Sequence, residues 1–595
     1  MDLISRAQAE SVLARISRDE WLSLFDDTEL GADLRVRLEA VRHALAGANL
    51  LPRGARSRPI AEILDLRGDR ILSDDDLGPW IRERLIRAMP ETKWRNLVEY
   101  YVAFGGARAS RFHRNMVQHR SGASALAGYW HHGGKWAQAF CEVTGLPSDL
   151  ARRRAVPFCE DEEIVPAEPL PPLHDFQVEV YRAMRRLLRQ GLGRAAMLSL
   201  PTGAGKTRVA VEAICDHLAK PRFKSRTRNV VIWISMSNEL QQQAWECFRQ
   251  VWQVPPRREG QSIRRPVPLR LVRLWGGRDA DDINVDEQPT VMIAGVDQLA
   301  TWARSRPEVF DRIPQRRLAC ALIDEAHGIV TREYRSVLVA LGLRADQREW
   351  RTLGNAPPVF GLSATPWRSR DDESSTLRRY FQRSLVRPRS LGRQPIKALQ
   401  RSGILARVVH KRLRVHDTEP MNAAQRRRFE QFKDLPADYL RQLGLSDKRN
   451  AKILARLAHL PKKRRTIIFA CSIMHAEILT VALNQAFGSG SAAVVTGQTP
   501  RAERADVIER FRTKGDLRFL CNVGVLTTGF DAPRADVVCM TRPTTSAVLY
   551  EQMVGRGLRG PRNGGTDVCL VLDVQDEGMP EGILSYARVL ALWDR

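Results

Sequence analysis

At 595 residues the chain is too long for a single core, and a hydrophobic content of 43% is globular, which excludes long disorder. No run approaches the ~18 uninterrupted apolar residues of a membrane span, the opening MDLISRAQAESVLARISRDE lacks the apolar core of a secretory signal, and the nine cysteines form no Cys-x-x-Cys pair, so the expectation is a cytoplasmic protein without membrane, zinc or disulfide framework. The net charge of +26 is concentrated mid-chain, with 37 Lys/Arg against 23 Asp/Glu in 171–390 and 20 against 6 in 391–465, as suits a surface that neutralises phosphates or an Arg-rich chain with solvated basic faces.

Residues 1–155 show apolar spacings of three and four (Trp21-Leu22, Leu24-Phe25, then Leu34, Leu38, Val41) and predict a mostly α-helical accessory domain. Within it, 81–154 interleave 13 Lys/Arg with Trp94, Tyr100, Tyr101, Phe104, Phe112, Tyr129, Trp130 and Trp136. Such a mixture can stack bases and hold phosphates, or be the core and rim of a small helical domain, and the second reading is preferred. His131, His132 and Cys141 lack a fourth ligand for a metal. Residues 156–172 crowd prolines 157, 166, 169, 171 and 172 around Glu160–Glu163 and read as an exposed linker.

From 173 to 390 short apolar runs (AAMLSL, NVVIWIS, VMIAGV, LACALID, PVFGLSAT) alternate with helical stretches, the pattern of a doubly wound parallel sheet. A basic, helix-rich connector is expected over 391–460. A second set of strands (RTIIFACS, AAVVTG, LRFLCNV, ADVVCM, VCLVLDV) fills 461–595. The fold class is therefore α/β, two tandem doubly wound parallel-sheet lobes behind a helical accessory domain.

Two motifs carry chemistry. Leu200-Pro201-Thr202-Gly203-Ala204-Gly205-Lys206-Thr207 lies between a strand and a helix. Its glycines let backbone N–H groups converge on an anion at a helix N-terminus, Lys206 reaches the β- and γ-phosphates, and Thr207 offers a hydroxyl to Mg²⁺. Asp324-Glu325-Ala326-His327 follows the apolar run LACALI, at a strand end that faces the ligand crevice. There Asp324 would hold Mg²⁺ and Glu325 would act as general base toward water. ATP and Mg²⁺ are the expected cofactors.

LPTGAGKT, DEAH, Ser363-Ala364-Thr365 and Gln552–Arg559 resemble, in order, motifs I, II, III and VI of superfamily 2 DEAD/DEAH-box helicases. VLTTGFDAP (525–533) with RPTTSAVLYEQMVGRGLR further resembles the RadD-like repair helicases, themselves similar to Res subunits of type III restriction enzymes. The resemblance covers about 173–595 and implies that both lobes are RecA-like. It implies that Gln177 reads adenine, that Arg556 and Arg559 reach the γ-phosphate from the second lobe, and that Gln552 orients the lytic water. Gly529 and Asp531 would contact ATP or its coupling residues, and Ser363 and Thr365 would relay nucleotide state. Ser235, Ser237, Ser472, Thr527 and Thr528 would hold a strand backbone, whereas Ala294 and Gly295 replace the usual hydroxyls of motif Ib. RadD-like proteins carry a cysteine-rich zinc module after the second lobe, and no such cysteines stand here.

The function so implied is an ATP-dependent DNA helicase or translocase in repair or anti-phage defence. The alternatives are an ATPase switch subunit whose nuclease lies in a partner chain reached through 1–155, or an RNA helicase.

Overall fold

The computed structural model describes residues 3–51, 59–68, 71–104, 122–130, 134–151, 170–219, 228–253, 268–275, 283, 287–343, 356–364, 371–382, 384–416, 418–513, 515, 517–526 and 534–593. The accessory region is helical throughout its described part, from Leu3–Leu13 to Lys135–Thr144. Local signals set its boundaries. Ser17 and Glu20 form a reciprocal capping box ahead of Arg18–Asp27, and Gly145 ends Lys135–Thr144 at φ +81°, a left-handed value that favours glycine. Its aromatic residues are mainly core. Trp94 and Trp136 are buried, and Tyr101 meets Tyr129 and Trp136 edge-on, each at 5.3 Å. The preference for core over base stacking is thereby supported; Phe112, His131 and His132 lie outside the described residues.

The first lobe is a seven-stranded parallel sheet of β1 (Ala195–Ser199), β2 (Val230–Ser235), β3 (Arg270–Leu274), β4 (Thr290–Gly295), β5 (Leu318–Ile323), β6 (Val359–Ser363) and β7 (Leu385–Val386). The order across it is β3-β4-β2-β5-β6-β1-β7. Five of these strands are the apolar runs expected from sequence, and β1, β2, β4, β5 and β6 are buried along their whole length. The second lobe has six parallel strands: β8 (Arg407–Val415), β9 (Thr466–Phe469), β10 (Ala492–Val495), β11 (Phe519–Asn522), β12 (Val537–Met540) and β13 (Val568–Asp576). Their order is β10-β11-β9-β12-β13-β8.

One expectation is corrected here. The passage 391–460 is not wholly a helical connector, because β8 pairs with β13 over nine residues and forms the edge of the second sheet. The second lobe therefore begins near 407, not 461. RVVHKRLRV alternates as a strand, but its basic residues face solvent along an edge, where charge discourages pairing with other chains.

The accessory domain, though adjacent in sequence to the first lobe, docks on the second. Helix Glu29–Gly47 packs against Asp447–Ala458 and Ile473–Phe487, and one continuous core runs from Val41 and Leu45 to Leu454, Ile478 and Leu479. A Cβ on Gly47 would lie 2.8 Å from the Ala451 Cβ, so the helices nearly touch backbone to backbone. Glu477, buried in this seam, pairs with both Arg37 and Arg67, the latter at 3.3 Å.

A candidate ATP site between the two lobes

Strand adjacency assembles the site. β5, β6 and β1 are neighbours, with Ile323 opposite Gly361 and Ser199 opposite Ser363. The segments that follow these strand ends, Asp324-Glu325, Ser363-Ala364 and the phosphate loop, thus line up along one carboxyl edge, where parallel sheets bind ligands. The loop takes its shape from Gly203 and Gly205, both at φ +81°. Lys206 opens the helix Lys206–Leu218. Gln177 braces the loop from behind. Its Oε1 accepts from the His174 N–H at 2.9 Å and its Nε2 donates to the Ala204 carbonyl at 2.9 Å. These two bonds use one lone pair and one amide hydrogen of the side chain and leave it one more of each.

Asp324 and Glu325 are buried, and Glu325 sits at φ +47°, ψ +52°, a left-handed conformation costly for a non-glycine residue. Burial, then the neighbouring Glu325 charge, pushes the Asp324 carboxyl up, against the pull of Lys206. Burial acts the same way on Glu325 but is outweighed by the His327 ring, Lys206 and Arg556, which hold its carboxyl below the usual range. The two adjacent acids are thus driven apart, Glu325 toward its ionised form and Asp324 away from it. His327, a residue of the DEAH string with no role read from sequence, has its Nδ1 3.3 Å from Glu325 Oε2, off line for a hydrogen bond.

The second lobe supplies the opposite wall. Helix Ala547–Gly555, capped by Ser546, carries the buried Gln552 and delivers Arg556 at its end. Its packing is set by Asp573, whose Oδ1 accepts from Tyr550 Oη at 2.7 Å, while Oδ2 lies 2.6 Å from His410 Nε2 and accepts from the Tyr586 N–H at 3.1 Å. Arg559 follows on a segment bridged to Leu405. Contact across the cleft is close. A Cβ on Gly555 would lie 2.2 Å from Thr202 Cγ2 and 2.8 Å from Thr202 Cβ, and one on Gly203 would lie 3.3 Å from Leu405 Cδ2. The cleft beside Thr202 is floored by Ile396, Leu405, Val554 and Leu590.

Motif III sits between the two halves. A Cβ on Gly361 would lie 2.7 Å from the Ala326 Cβ, so this strand backs the DEAH segment, while Ala364 packs with Ile396 and with Leu590 of the helix Tyr586–Trp593. Ser363 is buried at that junction. Thr365, Thr527, Thr528, Gly529 and Asp531 lie outside the described residues.

For the expected strand contacts the structure divides the set. Ser235 is corrected: its hydroxyl is fully buried at the end of β2, so it has no face to offer a phosphate in this closed arrangement. Ser237 is half-exposed and accepts from the Leu240 N–H at 3.3 Å. Ser472 accepts from the His475 N–H at 3.2 Å, capping Ile473–Phe487, and keeps its hydroxyl hydrogen.

Comparison with known proteins accords with this architecture. Residues 171–368 match the family described as type III restriction enzyme, res subunit, and 449–560 match the helicase conserved C-terminal domain. Over 413 residues the chain is 27% identical to a Saccharomyces cerevisiae protein described as an ATP-dependent helicase, IRC3, covering 68% of this chain and 51% of that one. It is 23% identical over 407 residues to the type I restriction enzyme EcoKI endonuclease subunit of Escherichia coli K12, covering 65% and 33%. Among solved structures, the ATP-dependent type ISP restriction-modification enzyme LlaBIII bound to DNA aligns at TM-score 0.47 and 17% identity, over 73% of this chain and 30% of that one. The chain spans about half the length, or less, of these relatives.

Proposed function

We propose that this chain, which belongs to the superfamily 2 helicases of the restriction Res-subunit kind, hydrolyses ATP between its lobes and couples each turnover to movement on, or remodelling of, DNA. One observation carries the reading: the phosphate loop that leads into Lys206 and the helix end that delivers Arg556 meet across the cleft, a Cβ on Gly555 lying 2.2 Å from Thr202 Cγ2, and both cations lower the Glu325 carboxyl. A triphosphate in that cleft would lie with its anionic oxygens between the two cations, and Glu325 would take a proton from the attacking water. Thr207 and Asp324 are the residues to hold Mg²⁺, whose charge would stabilise the phosphates and relieve the crowding of two buried acids. Arg559 and Gln552 would complete the wall that forms only on closure.

Polymer contact would fall to Ser237, Ser472, Thr527 and Thr528, and the basic surface of 171–465 would give affinity without reading sequence. Among the described residues no helix is long and apolar enough to cross a membrane. The test is ATP turnover with single-stranded, duplex and forked DNA and with RNA, at several salt concentrations, using Glu325→Gln as control. Stimulation by DNA above RNA supports the reading; equal or greater stimulation by RNA replaces it with an RNA helicase.

A second reading is favoured by the similarity to the EcoKI endonuclease subunit, one member of a multi-subunit enzyme, of whose length this chain covers only 33%. The ATPase would then act as a switch within an assembly whose cutting activity resides elsewhere, and repair or anti-phage defence would be the setting. A turnover that stays low with every polymer until a partner chain is added would favour it.

A further inference from the structure

The passage 418–445 makes a helical hairpin that belongs to neither sheet. Helices Ala423–Phe432 and Ala437–Leu445 sit on the carboxyl edge of the second sheet, held by Phe429, Tyr439 and Leu443 against Cys471 and Met579. A Cβ on Gly444 would lie 3.3 Å from Ser472 Oγ, so the hairpin partly roofs the serine expected to touch a strand. A polymer following this edge would therefore meet the hairpin.

Its turn is firmly built. Lys433 adopts φ +54° and its carbonyl accepts from Thr545 Oγ1 at 2.7 Å, while Asp438 ties back to Arg428 at 2.9 Å and Gln425 at 3.1 Å. Held out by that turn, Phe432 is 68% exposed, the most exposed large apolar side chain among the described residues. Its exposed sequence neighbours are Glu430, Gln431, Lys433 and Asp434, so it is a lone ring in a polar setting rather than part of the contiguous apolar patch that a protein partner needs. Arg426 and Arg427, exposed on the same helix one to two turns before the ring, together with Lys433 outnumber the exposed Glu430 and Asp434 once Arg428 is matched by Asp438.

We propose that Phe432 is a stacking platform for an unpaired nucleobase, with Arg426 and Lys433 on the flanking phosphates. An exposed aromatic face among cations is what binds single strands irrespective of sequence. The inference rests on the nucleic-acid reading above and adds a contact that the superfamily motifs do not contain.

The experiment compares the full chain with Phe432→Ala, Phe432→Leu and Phe432→Trp, by anisotropy of a labelled single-stranded oligothymidylate and of a blunt duplex. Phe432→Ala and Phe432→Leu are expected to weaken single-strand binding by about fivefold or more, the effect of losing one stacked base. Phe432→Trp should restore it, and duplex affinity and polymer-free ATP turnover should stay unchanged. Equal binding by Phe432→Ala and wild type, rescue by leucine, or an equal loss on the duplex overturns the platform while leaving the helicase reading standing. A wild-type chain that binds neither polymer overturns both.

Discussion

Gly555→Ala tests whether the closed cleft is the working geometry. The added methyl carbon would lie 2.2 Å from Thr202 Cγ2 and 2.8 Å from Thr202 Cβ. Carbon atoms rest at roughly 3.5–4.0 Å, so the first contact is short by at least about 1.3 Å. Turning the Thr202 side chain moves Cγ2 but not Cβ, which shifts only with the phosphate loop. The lobes must therefore part, or the loop must bend. Displacements of about 1 Å at a reacting centre can cost on the order of 100-fold, and a loss of that size in ATP turnover is the expected outcome. Folding should not suffer, since alanine within a helix is favoured over glycine by about 0.5–1 kcal/mol. Steady-state turnover, read beside a thermal melt, separates the two effects. A variant that melts like wild type and hydrolyses ATP at the wild-type rate would refute the claim that catalysis needs this closure.

Other expectations follow from the same contacts. Glu325→Gln keeps the cleft's shape but removes the base, so ATP should still bind, by equilibrium dialysis, while turnover falls roughly 10²–10⁴-fold. Glu477→Ala leaves Arg37 and Arg67 in the seam with Asp33 and Asp74 as their remaining carboxylates, and a denaturation curve should show a loss of about 1–3 kcal/mol. Deleting 1–151 should be worse, because the apolar faces of Asp447–Ala458 and Ile473–Phe487 would meet water; aggregation is expected in light scattering, and a monodisperse truncation with full ATPase would argue against one shared core. Asp573→Ala strands Tyr550 and His410, lowering the melting temperature of the second lobe and, by loosening the helix that carries Gln552 and Arg556, lowering kcat more than it raises KM.

Much of this was legible in the sequence, for a physical reason. Phosphate loops and strand-end carboxylates need contiguous residues of fixed type, so LPTGAGKT and DEAH announce themselves, and buried parallel strands are runs of apolar residues such as LACALI. Where charge and apolar character share a strand, the signal fails: RVVHKRLRV has the charge of a basic connector, and RLVRL, which forms β3, is too charged to stand out as an apolar run. The burial of Ser235 was invisible because a hydroxyl at a strand end looks the same whether it faces water or a neighbouring helix. Most hidden was the docking of the accessory helices, since Arg37 meets Glu477 across 440 positions and no local pattern marks that encounter.

That docking makes the first lobe an insertion. The chain leaves the body formed by the accessory helices and the second sheet, builds the first lobe, and returns to finish the same body. During synthesis the amino-terminal helices emerge some 400 residues before the surface they cover, so they must wait unpaired, or shielded by a chaperone, until the ribosome reaches the far end. The finished molecule, stitched across its seam by two backbone crossings, should stay whole after a protease cuts either one.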